Sequence, residues 1–109
     1  MKRGEIWTVA GGAAYAGKPR PAVIVQDDRF DANDSVVVCP VTSDATHAPT
    51  FRIPVAPDAE NGLLSPCRLM VDKVSAVPRA RLRRRVGALG ANETTNLNRA
   101  IVVFLGLGG

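Results

Sequence analysis

Two short runs constrain this chain more than any other feature. Residues 21–26 (PAVIVQ) and 35–41 (SVVVCPV) are almost continuous apolar sequence rich in β-branched side chains. Runs of this length and type read as strands buried on both faces. Pro40 falls inside the second run and lacks an amide hydrogen, which points to a sheet edge, a bulge or the end of that strand. Further short strands are expected at 4–10 (GEIWTVA), with Trp7 as a core anchor, and at 51–55 (FRIPV). Residues 67–77 (CRLMVDKVSAV) read as one or two strands, and 81–88 continue the sheet with a bend at Gly87. The glycine-containing segment 11–18, the polar segments 27–34 and 42–50, and 57–66 with its Asn61-Gly62 turn signal lie between them. The last element has a different period. Asn92 is the expected N-cap, Glu93 suits the helix dipole, Leu97, Ile101 and Phe104 or Leu105 follow helical spacing, and Gly106 stops the helix. Phe104 is expected in the core. The fold class is therefore mostly β with a C-terminal α-helix. Five to seven strands in about 90 residues predict a small, strongly bent barrel, because an open sheet leaves costly edges.

At 109 residues the chain fits a single domain, 1–109. With 46% hydrophobic and 22% charged residues it reads as globular rather than disordered. The net charge of +4 is local: five arginines (Arg79, Arg81, Arg83, Arg84, Arg85) sit within seven residues, and the remainder holds nine basic against ten acidic residues. Such a run suits a phosphate-binding stripe, and equally a solvated strand or a dock for an acidic protein. The N-terminus lacks the apolar segment of a secretory signal, and the longest apolar run, 100–109, is about half a membrane span. A cytoplasmic location without membrane contact is expected. Cys39 and Cys67 lie far apart and are expected as thiols. His47, the one histidine, stands in a polar loop, and no CxxC or HExxH pattern occurs, so neither metal nor cofactor is expected.

Three segments then fall into a recognisable order. Arg3-Gly4-Glu5-Ile6-Trp7, Lys18-Pro19-Arg20-Pro21-Ala22-Val23-Ile24-Val25-Gln26 and Val36-Val37-Val38-Cys39-Pro40-Val41-Thr42-Ser43 together resemble the MazF/PemK family of toxin endoribonucleases. The C-terminal Leu105-Gly106-Leu107 also looks like that family, and the match is weaker between 46 and 64. The resemblance implies an SH3-like small β-barrel with a C-terminal helix, the plasmid-maintenance toxin fold shared with CcdB. It implies a homodimer with single-stranded RNA in a groove at the interface. It implies metal-independent cleavage, often of mRNA, giving a 2′,3′-cyclic phosphate and a 5′-hydroxyl. It also implies a cognate antitoxin whose disordered tail covers the RNA site.

Cleavage by the adjacent 2′-OH needs a proton acceptor, a donor for the leaving 5′-oxygen, and groups that stabilise the crowded phosphate. Arg20 sits at the family's catalytic arginine position. Its planar fork matches phosphate oxygens, and a pKa above about 12 makes it a poor general base. Thr42 sits at the catalytic threonine position, where its hydroxyl can donate to phosphate, with Ser43 beside it. Asp72 matches an acidic position that some members use, as base or to orient Arg20. The plainer alternatives are a loop cap or a pair with an acid for Arg20, a turn cap for Thr42 and a structural ion pair for Asp72. The chain departs from one branch of the family, which has an arginine where Met70 stands. Arg68, two residues earlier, is the candidate substitute. A histidine of that branch is also missing; Tyr15 and Lys18 occupy its loop. Tyr15, Lys18, Ser43, Arg68, Arg79 and Arg81 are the candidate RNA contacts. Competing readings are a non-nucleolytic, gyrase-poison type of toxin with this fold, and a weakened relative that binds RNA or antitoxin.

Overall fold

The computed structural model describes residues 1–11, 18–44 and 51–108. Among these residues the strands are β1 (Glu5–Val9), β2 (Arg20–Ile24), β3 (Ser35–Thr42), β4 (Arg52–Val55), β5 (Cys67–Met70), β6 (Ser75–Pro78) and β7 (Leu82–Ala88), followed by the helix α1 (Ala91–Phe104). Residues 67–77 are thus two strands, parted by a single 3₁₀ turn, Val71–Lys73. All ladders are antiparallel, in the order β4-β5-β3-β2-β1-β7, with β6 also on β3.

The two apolar runs are β2 and β3, and alternation along them builds two cores. Val23, Cys39 and Val41 join Ile6, Leu69 and Leu97 in one cluster; Ala22, Ile24, Val36 and Val38 join Val9, Val77 and Leu82 in the other. Both faces of the central strands are buried, which is why their sequence carries no polar alternation. Trp7 is half-buried against the second cluster, and its indole donates to Glu5 Oε1 (3.0 Å).

Pro40 lies inside β3 rather than at its end. Residues 35–38 pair with β6 and residues 41–42 with β5 on the same edge of the strand. The carbonyl of Val37 accepts from Val25 on the opposite, β2, edge. Alternation therefore aims the backbone nitrogen of Pro40 at the gap where β6 has ended and β5 has not begun, and no ladder bond is forfeited.

The expected barrel is realised as an open sheet: among the described residues no ladder joins β4 to β7. The ends are protected in other ways. β4 has four residues and an exposed Pro54, and α1 packs against it; β7 carries Arg83, Arg84 and Arg85 on a bulged edge. Short strands, proline, charge and bulges all blunt edge pairing.

Helix α1 begins two residues earlier than Asn92 suggests. Gly90 is the N-cap without a side-chain bond, and its carbonyl accepts from both the amide and Oγ1 of Thr94. Glu93 lies in the first turn as expected. Leu97 and Ala100 are buried against the sheet, and Ile101 packs beside them. Gly106, at φ +73°, closes the helix with its amide to Val103 and that of Leu107 to Val102. Phe104 is not core: it is 45% exposed and tilts against Phe51 with centroids 5.7 Å apart. It shares a solvent-facing apolar end with Val103, Leu105 and Leu107. Among the described residues no helix is long and apolar enough to cross a membrane.

Candidate active site

Strand register brings the first two site residues together. Ala22 pairs with Pro40 and Val23 with Cys39, so the same register carries Arg20, at the start of β2, to the level of Thr42, at the end of β3. Arg20 stands between Pro19 and Pro21, and its side chain is exposed. Among the described residues no carboxylate pairs with it. Thr42 Oγ1 accepts from the Asp44 amide (3.1 Å). That turn-capping bond uses a lone pair and leaves the hydroxyl hydrogen free to donate.

Arg20 separates two clefts. One, about 390 Å³, is lined by Arg20 and Thr42 with Met70, Lys73 and Ser75. The other, about 430 Å³, is lined by Arg20 and Ser43 with Thr8, Leu64 and Arg84. Both volumes fall in the usual range for ligand sites, about 300–1,000 Å³. Arg68 lies opposite Thr42 on β5 but lines a third hollow, about 270 Å³, with Ser43 and Cys67. It shares neither cleft with Arg20, and the position its branch relatives fill with arginine is held by Met70 in the first cleft.

Asp72 is turned away. The 3₁₀ turn after β5 brings its carboxylate to Arg52 on β4, which donates from Nε (2.9 Å) and Nη2 (3.1 Å), one bond to each oxygen. Asp72 lines neither cleft with Arg20. Arg52 was the missed partner; twenty residues of sequence separate the two, with no spacing signal to join them.

The basic run is not one stripe. Arg79 donates to the Asn33 carbonyl (2.7 Å) and reaches Met1 Sδ (3.1 Å), and Arg81 lies beside Gly11. Arg83 returns to the Ala80 carbonyl, and Arg85 pairs with Glu5 (3.1 Å). Arg79 and Arg81 line neither Arg20 cleft, whereas Arg84, which the sequence marks only as part of the basic run, lines one. Bulging of β7, at the register breaks between Gly87 and Arg85 and between Arg85 and Leu82, redistributes side chains that strict alternation would align. Lys18 is exposed two residues before Arg20 but lines neither cleft. Tyr15 and His47 lie outside the described residues.

Neither thiol is poised as a nucleophile. Burial, with the Asp72 charge nearby, pushes Cys39 up to about 12. Burial also raises Cys67, against the opposing effect of the Ser65 side chain. The arrangement offers a guanidinium, hydroxyls and an ammonium around one open site, a set suited to a phosphodiester.

Residues 2–105 match the family model described as PemK-like, MazF-like toxin of type II toxin-antitoxin system. The chain is 50% identical over 109 residues to the probable endoribonuclease MazF of Mycolicibacterium smegmatis, covering all of both chains. Its fold matches the Mycobacterium tuberculosis toxin MazF-mt6 with a TM-score of 0.78 at 25% identity, over 94% of this chain and 96% of that one. It also matches an endoribonuclease from Mycobacterial species, solved in complex with its cognate antitoxin, with a TM-score of 0.80 at 20% identity over 98% and 96%.

Proposed function

Since the chain belongs to the PemK-like, MazF-like toxin family of type II toxin–antitoxin systems, we propose that it cleaves single-stranded RNA at the junction of the two clefts and so arrests translation and growth. The observation that carries this reading is the placement of Arg20 and Thr42 at one register level, both on one cleft, with no carboxylate on the guanidinium among the described residues. In the proposed reaction the 2′-oxygen attacks the adjacent phosphorus, the bond from phosphorus to the 5′-oxygen breaks, and a 2′,3′-cyclic phosphate and a 5′-hydroxyl result. The 2′-OH proton passes to a base and the leaving oxygen gains one. Arg20 neutralises the charge gathering on the non-bridging oxygens, and Thr42 donates its hydroxyl hydrogen to the same phosphate. The protein supplies the charge that a metal would otherwise bring. Asp72, with both oxygens held by Arg52, has a structural part in this scheme.

The cognate antitoxin is the second partner. A relative of the same fold was solved with its own antitoxin, and the clefts' arginines and lysine suit an acidic tail laid over them. The exposed apolar end of α1, with Val103, Phe104, Leu105 and Leu107, supports a homodimer. The site of action is the cytoplasm, where the RNA substrate and the antitoxin are found. Incubating a long single-stranded RNA with wild-type protein in EDTA, beside Arg20→Ala, tests the reading: cleavage by the wild type alone supports it, and no cleavage of any RNA by folded wild type overturns it.

A further inference from the structure

Leu64 is fully exposed, at 100%, directly after the stretch 58–63, which is pinned. Asn61, at 0% exposure, accepts from the amides of Asp58 (3.1 Å) and Leu63 (3.0 Å) and donates to the Ala56 carbonyl (2.9 Å). The Glu60 carbonyl accepts from Ala88 on β7 (2.9 Å). Gly62, at φ +68°, has no room for a Cβ against the Val86 carbonyl, and Gly87 has none against the backbone of Glu60 and Asn61. The loop and the bulged strand β7 are thus one rigid wall. A leucine wholly in water directly after a pinned stretch is not explained by packing. The next residue inward, Leu63, already supplies the core contact at 9% exposure.

The same wall carries Arg84. Its amide donates to Thr8 Oγ1 (3.1 Å), and its exposed side chain lines the 430 Å³ cleft together with Leu64 and Arg20. That cleft and the Arg20–Thr42 cleft share Arg20 and Val41 in their linings. The geometry points to a nucleotide subsite next to the scissile phosphate: Leu64 packs on the base of the neighbouring nucleotide, and Arg84 holds a phosphate one step along the strand. An apolar surface beside a guanidinium, with the hydroxyls of Thr8, Ser43 and Ser65 within the same cleft, matches the alternation of base and phosphate in single-stranded RNA. Leu64 is then a specificity residue and Arg84 a positioning residue for cleavage. This inference rests on the nuclease reading above.

The test uses the full-length protein and a pool of RNA randomised around the cut site, with product ends sequenced for wild type, Leu64→Ser and Arg84→Gln. Leu64→Ser leaves a surface residue surface-exposed, so its fold is not at issue. The expected result is an altered base preference at a single position next to the cut, with kcat/KM down about tenfold. Arg84→Gln is expected to keep the base preference and to flatten the dependence of log KM on log salt by about 0.7, the loss of one phosphate contact. Unchanged base preference and rate in Leu64→Ser overturn the subsite. So does a Leu64→Ser variant that cleaves like wild type but escapes inhibition by the antitoxin, which makes the leucine a protein-docking residue. Wild type that cleaves nothing in the pool overturns the nuclease reading instead, so the two failures are distinguishable.

Discussion

Arg52 and Asp72 meet in a two-point ion pair, Nε to Oδ1 at 2.9 Å and Nη2 to Oδ2 at 3.1 Å, that ties β4 to the turn after β5. Both side chains are largely buried, at 12% and 19% exposure. The pair occupies the carboxylate that family resemblance suggests as a base. Removing one partner of such a pair leaves the other charge poorly solvated.

Asp72→Asn is accordingly expected to lower stability by about 1–3 kcal/mol. Its folded form is expected to cleave RNA at nearly the wild-type rate. Urea unfolding and kcat/KM measured on the same preparation separate the two effects. A loss of about 10³ in kcat/KM at unchanged stability would contradict the structural part given to Asp72.

Glu5 gives the fold a pH dependence at the acid end. Burial by itself raises its carboxyl, but the Lys2 amide (2.8 Å), the Trp7 indole (3.0 Å), Arg85 (3.1 Å) and the N-terminus outweigh burial and hold it at about 2 against an ordinary 4.5. A carboxylate with a depressed folded pKa stabilises the protein fully above its unfolded pKa, and that stability is lost as pH falls through the folded value. Wild-type stability is therefore expected to fall between about pH 4.5 and about pH 2. The drop is about 1–2 kcal/mol after allowance for solvent screening. Glu5→Gln should flatten that segment of the curve in urea titrations at stepped pH. Parallel curves for the two proteins would contradict the assignment.

Gly87 and Gly62 are where β7 and the 57–66 loop touch backbone to backbone. Gly87→Ala must displace Glu60 and Asn61, whose bonds also hold the loop. A cost of about 2–4 kcal/mol is expected, read as a fall in Tm of about 10–20 °C. An unchanged Tm would mean that the wall yields, and it would remove the rigidity on which the Leu64 subsite depends.

Much of this architecture is legible in the order of residues. β2 and β3 stand out because both of their faces are buried, so the runs 21–26 and 35–41 carry no polar alternation. Arg20 and Thr42 are legible as a pair because adjacent antiparallel strands fix their level, and family resemblance marks both. Pro40 misleads: its missing amide fits the interior of β3 only because β6 and β5 divide that edge between them, a fact of topology. Asn92 misleads because the first helical bond already runs from the Thr94 amide to the Gly90 carbonyl, which puts Asn92 inside the first turn and not at its cap. Phe104 follows the helical period, yet it stays 45% exposed with Phe51 against its ring. Arg84 and Leu64 are not legible, because their meeting depends on a bulge in β7 and on two glycines packing across it.

The most direct test of the central claim is a single-turnover assay on a short RNA carrying one mapped cut site, with EDTA present. The account predicts that wild type leaves a 2′,3′-cyclic phosphate and a 5′-hydroxyl. It predicts that a single 2′-deoxy substitution on the 5′ side of the cut abolishes cleavage, and that Arg20→Ala, folded as wild type, is slower by about 10²–10⁴. Cleavage of the deoxy substrate, or an Arg20→Ala variant as fast as wild type, would contradict it.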